Sequence, residues 1–455
     1  MAGSGLDRVI ALTLNLIAGK IGATVSNIPA IITDEAPSGS GDFGSGYAKK
    51  YKVNQLAALA TDFSDSGLTY DAAVAIASQT PKVNEFYVIK RASAVAAVVT
   101  LVFSGPLVTS NVVSGTVNGN AVTATYATSN AATLTALAST IQALDMVATA
   151  ASNGTDTITI TFESEWEPSV STFTVTLGAG QATCVTTVTT PATNIVDDIA
   201  NAVNEDATFE WFVLLPTTVN KGAILAAAEA TESYGGQFMT VFHTTEAAVI
   251  TSATTDVASL LQDEAYNYSG IIYHDDQNEM VHAAWLSDVL STDPGGVSFA
   301  LKSLEGVTSS GLSAAQIGYV EGKNCNSYTD AGPGPLTMKG VNCAGISLEA
   351  VRDSLYAKAE LETALYNLMT TRRKIPYNEA GFGLVQNQAD GVTARMINEG
   401  VFDPEADPVN QFVMPAVADV SLTDKNNRII PDCQWNAQHL ASGIKIEITS
   451  NISVV

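Results

Sequence analysis

The strongest constraint on the fold is a repeated alternation of helical and extended patterns between residues 195 and 301. Four segments with helical periodicity each precede a short apolar run. The pairs are 195–203 with 209–215, 223–233 with 238–243, 257–265 with 270–273, and 280–290 with 297–301. Strands that are apolar on both faces are typical of a sheet covered by helices on each side. The sequence therefore predicts an αβ body, and the apolar runs 28–33 and 86–89 fit the same sheet.

A segment of different composition interrupts this body. Residues 93–190 contain 22 threonines and no Lys or Arg. Short alternating runs, separated by turn signals such as Asn118-Gly119-Asn120, predict strands, and one Ala-rich helix is predicted over 131–144. The predicted strands are 99–103, 112–117, 122–126, 157–162 and 173–177. We therefore predict an inserted, mostly β domain at 93–190 within a body made of residues 23–92 and 191–320.

Residues 321–455 are predicted to form a further domain with two helices and a small sheet. Ser347 is the predicted cap of the first helix, whose last turn carries Arg372, Arg373 and Lys374 and which Pro376 ends. The second helix is predicted over 379–399, with a glycine as its stop. The predicted fold class is therefore α/β (α+β) and multidomain.

Both ends of the sequence alternate between apolar and polar residues. The apolar positions are Ile10, Leu12, Leu14 and Leu16 at one end and Ile444, Ile446 and Ile448 at the other. The pattern predicts one strand in an N-terminal arm (1–22) and one in a C-terminal arm (443–455). Each strand either pairs inside its own domain or adds to a sheet of a neighbouring subunit, and periodicity leaves both interpretations open. Neither end carries the proline or clustered charge that usually protects an exposed sheet edge.

The charge and cysteine content exclude several classes of protein. The net charge is −25, with −20 on residues 92–320, 0 on residues 1–91 and −5 on residues 321–455. Nucleic-acid binding needs clustered Lys and Arg, so it is not expected. The sequence contains no run of 18 apolar residues, so no membrane span is expected. Thr13 and Asn15 interrupt the one stretch that resembles a signal peptide. Four cysteines without a CxxC motif fit a reduced, cytosolic product.

Three patterns were weighed as possible sites of chemistry. Gly39, Gly41 and Gly44 match a dinucleotide fingerprint, but no strand and helix flank them directly, which favours a plain loop. A metal site at His274 and His282 with Asp275 and Asp276 lacks a known ligand spacing, and a helix cap explains the two aspartates. His243 ends a predicted strand without a nucleophile nearby. We therefore predict no catalytic, cofactor or metal site and no enzymatic activity.

The order of these features resembles the contractile tail-sheath proteins of tailed phages. The resemblance rests on the arm at 9–17, the strand at 28–33, the β insertion, the αβ body, the stretch 374–381 between two helices, and the ending 428–455. It implies a virion protein that stacks as hexameric rings in a helical lattice around a tail tube. The expected partners are other copies of the chain, the tail tube, baseplate and tail terminator proteins, and neither nucleic acid nor membrane.

The resemblance also implies how such a subunit works. The C-terminal domain would lie against the tube, the insertion would face outward, and the arms would add strands to small sheets of neighbouring subunits. Contraction would release energy stored in the extended lattice, without nucleotide hydrolysis, and drive the tube through the host envelope. Assembly would take place in the bacterial host cytoplasm.

Basic side chains on the C-terminal domain are the predicted contacts to the tube. Arg372, Arg373 and Lys374 are the first candidates, with Arg352 and Lys358 next. The alternative is that the basic helix end only complements the helix dipole.

The alternative function is a virion surface or adhesin protein whose β insertion binds carbohydrate. That function predicts exposed aromatic side chains in the insertion. The aromatic residues there are Phe103, Tyr126, Phe162, Trp166 and Phe173, several of them at inward-facing strand positions.

Overall fold

The structure is a computed structural model of the 455-residue chain. It describes residues 27–37, 46–91, 95–176, 178, 182–193, 195–205, 208–215 and 221–443. The predicted strands at 9–17 and 444–448 and the glycine-rich loop at 39–44 lie outside these residues.

The body is built on one eight-stranded sheet. Its strands are β1 (Pro29–Thr33), β2 (Ala48–Lys52), β3 (Glu85–Lys90), β11 (Trp211–Leu214), β12 (Met239–Thr244), β13 (Ser269–Tyr273), β14 (Asn326–Asp330) and β15 (Pro335–Met338). Their order is β15-β14-β13-β12-β11-β1-β3-β2. The six inner strands run parallel, and β2 and β15 pair antiparallel at the two edges. The predicted sheet is therefore confirmed, with 28–33 and 86–89 in it.

Helices cover both faces of this sheet because successive strand residues point to opposite sides. On β1, Ile31 joins one apolar core, while Ala30 and Ile32 join the other. The first core is closed by α1 (Leu56–Phe63), α2 (Leu68–Ser78) and α7 (Val281–Leu290). The second is closed by α4 (Ile195–Glu205), α5 (Lys221–Ser233), α6 (Val257–Asp263) and α8 (Ala314–Gly322).

Residues 95–193 leave the sheet and form two sheets of their own. Their elements are β4 (Ala96–Phe103), β5 (Val112–Val117), β6 (Asn120–Thr125), α3 (Asn130–Gln142), β7 (Val147–Ser152), β8 (Thr157–Ser164), β9 (Thr174–Thr176) and β10 (Cys184–Thr190). The sheet orders are β10-β4-β8-β7 and β6-β5-β9, around a separate apolar core. Val95 and Thr193 hydrogen-bond to each other through both of their backbone amides, so the segment begins and ends at one place.

The C-terminal part packs two helices against a small sheet. Its elements are α9 (Leu348–Thr371), α10 (Glu379–Asn398), β16 (Gln411–Val413), α11 (Leu422–Asn427) and β17 (Gln434–Asn436). The first turns of α9 bury Leu348, Val351 and Leu355 against the body. Further along, Ala357 and Leu361 face α10 in a core of their own.

Two predictions about the body are wrong. Residues 297–301 form no strand, because the Phe299 carbonyl accepts hydrogen bonds from the Trp285 indole and the Thr337 hydroxyl and Leu301 has a φ of +60°. The strand that follows β13 in the sheet is β14 instead. Because β14 and β15 belong to the body sheet, the predicted boundary at residue 320 falls inside the αβ body.

Candidate assembly surface

The two-stranded sheet formed by β16 and β17 is the most unusual element of the C-terminal part. Each strand has three residues, paired antiparallel with Phe412 opposite Trp435. Two-stranded sheets are marginal in water unless something packs behind them. Here one face is supported: Phe412 is buried, and the Trp435 ring packs edge-on against Phe402 at 5.3 Å. The Trp435 indole also donates a hydrogen bond of 2.9 Å to the hydroxyl of Thr393 on α10.

Among the described residues, none pairs with the outer edge of β17: no backbone hydrogen bond outside the ladder reaches Gln434, Trp435 or Asn436. On β16, by contrast, the Gln386 side chain contacts the Phe412 carbonyl. An open edge on a supported sheet offers unpaired N–H and C=O groups to another strand.

Several exposed apolar side chains occur in the same C-terminal part of the chain. Val409 is 71% and Leu422 is 78% exposed, and Val413, Ile429 and Leu440 are also exposed. Single exposed apolar residues are ordinary, but Val413 lies on β16 and so adds an apolar side chain to the small sheet itself.

The basic loop between α9 and α10 is exposed, as predicted for Arg372, Arg373 and Lys374. The helix ends three residues earlier than predicted: Thr371 is its last residue and Arg372 is the C-cap, so Arg373 and Lys374 lie in the loop and not in the last turn. The Tyr377 hydroxyl donates a hydrogen bond of 2.7 Å to the Ile429 carbonyl, which fixes the loop beside the exposed Ile429. Ser347 is the N-cap residue, as predicted, but its side chain makes no cap hydrogen bond.

Arg352 and Lys358 are corrected by the structure. Arg352 is 2% and Lys358 is 1% exposed, because segments distant in sequence cover this part of α9. Lys358 lies 3.6 Å from Glu362, one turn further along the helix. Neither side chain is on the surface of the subunit, so neither is kept among the tube-facing candidates.

Three histidines that are separate in sequence meet at the carboxyl end of the body sheet. The His243 ring lies 5.5 Å from that of His282 and 6.2 Å from that of His274, between centroids. Burial holds the pKa of His243 well below its ordinary value, and burial lowers the pKa of His282 to about 4. His274 donates to the Thr308 carbonyl and its other nitrogen accepts from the amide of Asp276.

The lowered pKa values of His243 and His282 favour neutral imidazoles at these two positions in a packed layer. No group of three His, Cys, Asp or Glu side chains suited to a metal ion occurs among the described residues. The prediction that Asp275 or Asp276 caps a helix is wrong: α7 begins after Met280, and Asp276 accepts from the amide of Asn278 in a turn. The spacing of the three histidines in the sequence does not predict that their rings meet, because each ring comes from a different part of the fold.

The aromatic residues of the insertion face inward. Phe103, Phe162 and Phe173 are buried in its core, and Tyr126 and Trp166 are half-buried against it. The adhesin alternative predicted exposed aromatics here, and the described part of the insertion presents none. Among the helices of the described residues, none is long and apolar enough to cross a membrane.

No protein-family model matches the sequence, and no curated protein matches it. Solved structures do match. A sheath tail protein from Listeria innocua is 10% identical, with 93% of this chain and 94% of that chain covered and a TM-score of 0.49. A sheath tail protein from Desulfitobacterium hafniense is 10% identical over 86% of this chain and 90% of that chain, with a TM-score of 0.46.

The third match is the contracted sheath complex of an extracellular contractile injection system, PVC. It is 10% identical and covers 99% of this chain and 98% of that chain, with a TM-score of 0.49. Identity and backbone agreement are low in all three, although the matched regions span most of both chains. The structural neighbours of this chain are thus sheath tail proteins and the sheath of a contractile injection system.

Proposed function

We propose that this chain is the structural subunit of a contractile phage tail sheath. In this proposal it polymerises as stacked rings around a tail tube, and the rings contract to drive the tube through the host envelope. It acts in the virion tail as a structural protein without enzymatic activity, after assembly in the bacterial host cytoplasm.

The observation that carries the proposal is the supported two-stranded sheet, in which no described residue pairs with the outer edge of β17. The sequence supplies matching strands at both ends, where Ile10 to Leu16 and Ile444 to Ile448 alternate with polar residues. A sheet edge that no described residue covers and a predicted strand at each end of the sequence are complementary when the strands of one subunit add to the sheet of the next.

The energy of such a joint is large enough to hold a lattice together. Burying Ile444, Ile446 and Ile448 in a partner would contribute roughly 5 to 9 kcal/mol as an upper estimate. About five ladder hydrogen bonds would add roughly 1 kcal/mol each. The sum is comparable to the stability of a whole domain, so rigid bodies can rotate while the joints persist.

Charge and exposure suggest which side faces the tube. The basic loop of Arg372, Arg373 and Lys374 is exposed in the C-terminal part, which also carries the exposed apolar side chains described above. Residues 92–320, which include the insertion, carry a net charge of −20. We therefore place the C-terminal part toward the tube and the insertion outward, with the tube, baseplate and tail terminator proteins as partners.

Electron microscopy of the purified full chain over a range of concentrations tests the proposal. We expect rings at low concentration and stacked rings or tubes as the concentration rises. A chain that stays monomeric at every concentration, in both low and high salt, would contradict the proposal.

A further inference from the structure

The first described residue is held by a buried arginine far along the chain. Arg352, on α9, donates a hydrogen bond of 2.9 Å to the side-chain oxygen of Asn27 and another of 2.6 Å to the Thr292 carbonyl. Asn27 in turn reaches Asp293 at 3.4 Å. Asn27 directly follows the segment 1–26, which contains the predicted N-terminal arm.

The other end of the chain is held by the next residue of the same helix. The Asp353 carboxylate lies 2.9 Å from Nε2 of His439 and accepts a hydrogen bond of 2.8 Å from the amide of Gly295. One turn earlier, Glu349 accepts from the amide of Ser442 at 3.4 Å. His439 and Ser442 come just before residues 444–455, the predicted C-terminal arm strand.

We call residues 349–353 of α9 together with the loop 292–295 the arm anchor. Its charged side chains on α9, Glu349, Arg352 and Asp353, are buried, whereas Asp293 in the loop is exposed. The Arg352 guanidinium is surrounded by the carboxylates of Glu210, Asp353 and Asp293, which offset the loss of water around it. A buried charge whose partner is removed is costly, so these contacts resist separation.

The loop of the anchor has little freedom. Gly295 has a φ of +80°, and a Cβ there would lie 2.4 Å from the Glu399 carbonyl at the end of α10. The loop therefore packs closely against the end of α10, while its Thr292 carbonyl accepts from Arg352 and its Gly295 amide donates to Asp353. Both chain ends thus meet one rigid element.

A pull on either end of the chain reaches the anchor before it reaches a strand. From the N-terminal side, Asn27 precedes β1, an inner strand of the body sheet. From the C-terminal side, Ser442 and His439 are reached before β17. The anchor therefore stands between each arm and the sheet behind it.

We propose that the arm anchor couples the two arms, so that a load on one passes to the other through adjacent residues of α9 and bypasses the eight-stranded sheet. The role in carrying load rests on the proposed function, because only a sheath lattice would pull on the arms. The coupling between the chain ends is a property of the single subunit and is tested without polymerisation.

Native-state hydrogen exchange on the full chain, below the concentration at which it assembles, tests the coupling. The reporter at the C-terminal end is the amide of Leu440, which donates to the Val401 carbonyl at 3.0 Å. The reporter at the N-terminal end is the amide of Glu210, which donates to the Ile28 carbonyl at 3.1 Å. We expect Arg352→Met to speed exchange at Leu440 about tenfold, although Arg352 does not touch it, and His439→Ala to do the same at Glu210.

The matched control is Tyr356→Phe, which removes a hydrogen bond of 3.0 Å to Glu399 from the same helix outside the anchor. It should leave both reporters unchanged. If each anchor variant speeds exchange only at its own end, the coupling is refuted. If Arg352→Met also speeds exchange in the insertion strand β8, the variant destabilises the whole chain. In that case Arg352→Lys, which keeps the charge and loses the paired contacts, is measured with the same two reporters. Faster exchange at Leu440 in this variant supports the coupling, and unchanged exchange there refutes it.

The two proposals fail separately. If the two reporters are coupled but the chain forms no rings, the coupling through the arm anchor is supported and the sheath function is refuted. If the chain forms rings but each reporter responds only to the variant at its own end, the sheath function is supported and the coupling is refuted.

Discussion

At the scale of single residues, Arg91 is the cation that joins the insertion to the body. It is the last Lys or Arg before Lys221, and its guanidinium contacts Glu165 with both side chains almost fully buried. Asp198 lies 3.9 Å away, and burial lowers the pKa of Arg91. The backbone amide of Arg91 also donates to the Thr33 carbonyl at the end of β1. One residue thus holds the end of a body strand and the base of the insertion.

Removing the charge of Glu165 should therefore destabilise the chain. Breaking a buried ion pair from one side leaves an uncompensated charge, and we expect Glu165→Gln to lower the free energy of unfolding by about 3 to 5 kcal/mol. The control is Glu85→Gln, which breaks the exposed pair with Lys50 and should cost less than about 1 kcal/mol. Urea unfolding measures the free energy of unfolding of both variants. Equal decreases would show that the buried Arg91–Glu165 pair stabilises the fold no more than the exposed Lys50–Glu85 pair.

The buried histidines make stability depend on pH. In the unfolded chain an imidazole titrates near pH 6.5, whereas in the folded chain the pKa of His243 lies well below that value and the pKa of His282 is about 4. Below pH 6.5 these two imidazoles bind protons in the unfolded chain, whereas in the folded chain they stay neutral until the pH is much lower. Stability is therefore unaffected above that pH and falls as the pH drops toward 4.

Replacing His243 isolates its share of this effect. His243→Phe replaces this buried titrating ring with an apolar ring that does not titrate. Between pH 6.5 and 5.5 we expect the variant to lose less stability than the parent chain, by up to about 1.4 kcal/mol per pH unit. Denaturant midpoints at half-unit steps of pH measure the slopes, and parallel slopes would contradict the assignment.

The same scale shows where sequence reasoning stops. Arg352 and Lys358 were predicted on the surface because a Lys or Arg on an amphipathic helix is usually solvated. Arg352 is held by Asn27 and Thr292, which lie 325 and 60 positions away in the sequence. Helix periodicity carries no information about such partners. The three buried histidines escaped prediction for the same reason.

At the scale of elements, the pattern of apolar residues predicted most of the sheet and missed its edges. Strands β1, β3, β11, β12 and β13 are apolar on both faces and were predicted within a few residues. The edge strand β2 contains three lysines, and β10 exposes most of its residues, so neither reads as an apolar run. Strand β14 was missed because its sequence, Asn-Ser-Tyr-Thr-Asp, is polar although it is buried between neighbours.

The C-terminal arm is the element whose role is easiest to test by deletion. Without residues 444–455 the αβ body should fold as before, because none of its described strands includes them, while rings and tubes should no longer form. Circular dichroism and electron microscopy give the two readouts. Loss of folding in the shortened chain would show that the arm pairs inside its own domain.

Substitutions refine this prediction by separating the two faces of the arm. Replacing Ile444, Ile446 and Ile448 by serine removes the apolar face that a partner would bury, so assembly should fail. Replacing Lys445 and Glu447 by glutamine changes the other face at the same length and should leave assembly intact. Assembly by the serine variant would argue against burial of that face.

At the scale of the whole molecule, the body has one apolar core on each face of its sheet, and the insertion and the C-terminal part each have one of their own. The insertion was recognised because threonine content and the absence of Lys and Arg change abruptly at its ends. The boundary at residue 320 was misplaced because no such change in composition accompanies β14 and β15. A change in composition therefore reveals the boundary of a region with different surroundings. It does not reveal where a single sheet continues into the next part of the sequence.

The closure of the insertion at Val95 and Thr193 has a consequence for how such proteins diversify. Since the chain departs and returns at one hydrogen-bonded pair, the part of the insertion remote from its base has no covalent connection to β1, β3 or β11 except through this pair. An exchange of that part that keeps Glu165, the buried partner of Arg91, should leave the register of these strands unchanged. For the protein engineer, the same pair is a graft point at which a foreign domain with adjacent termini could be displayed as cargo.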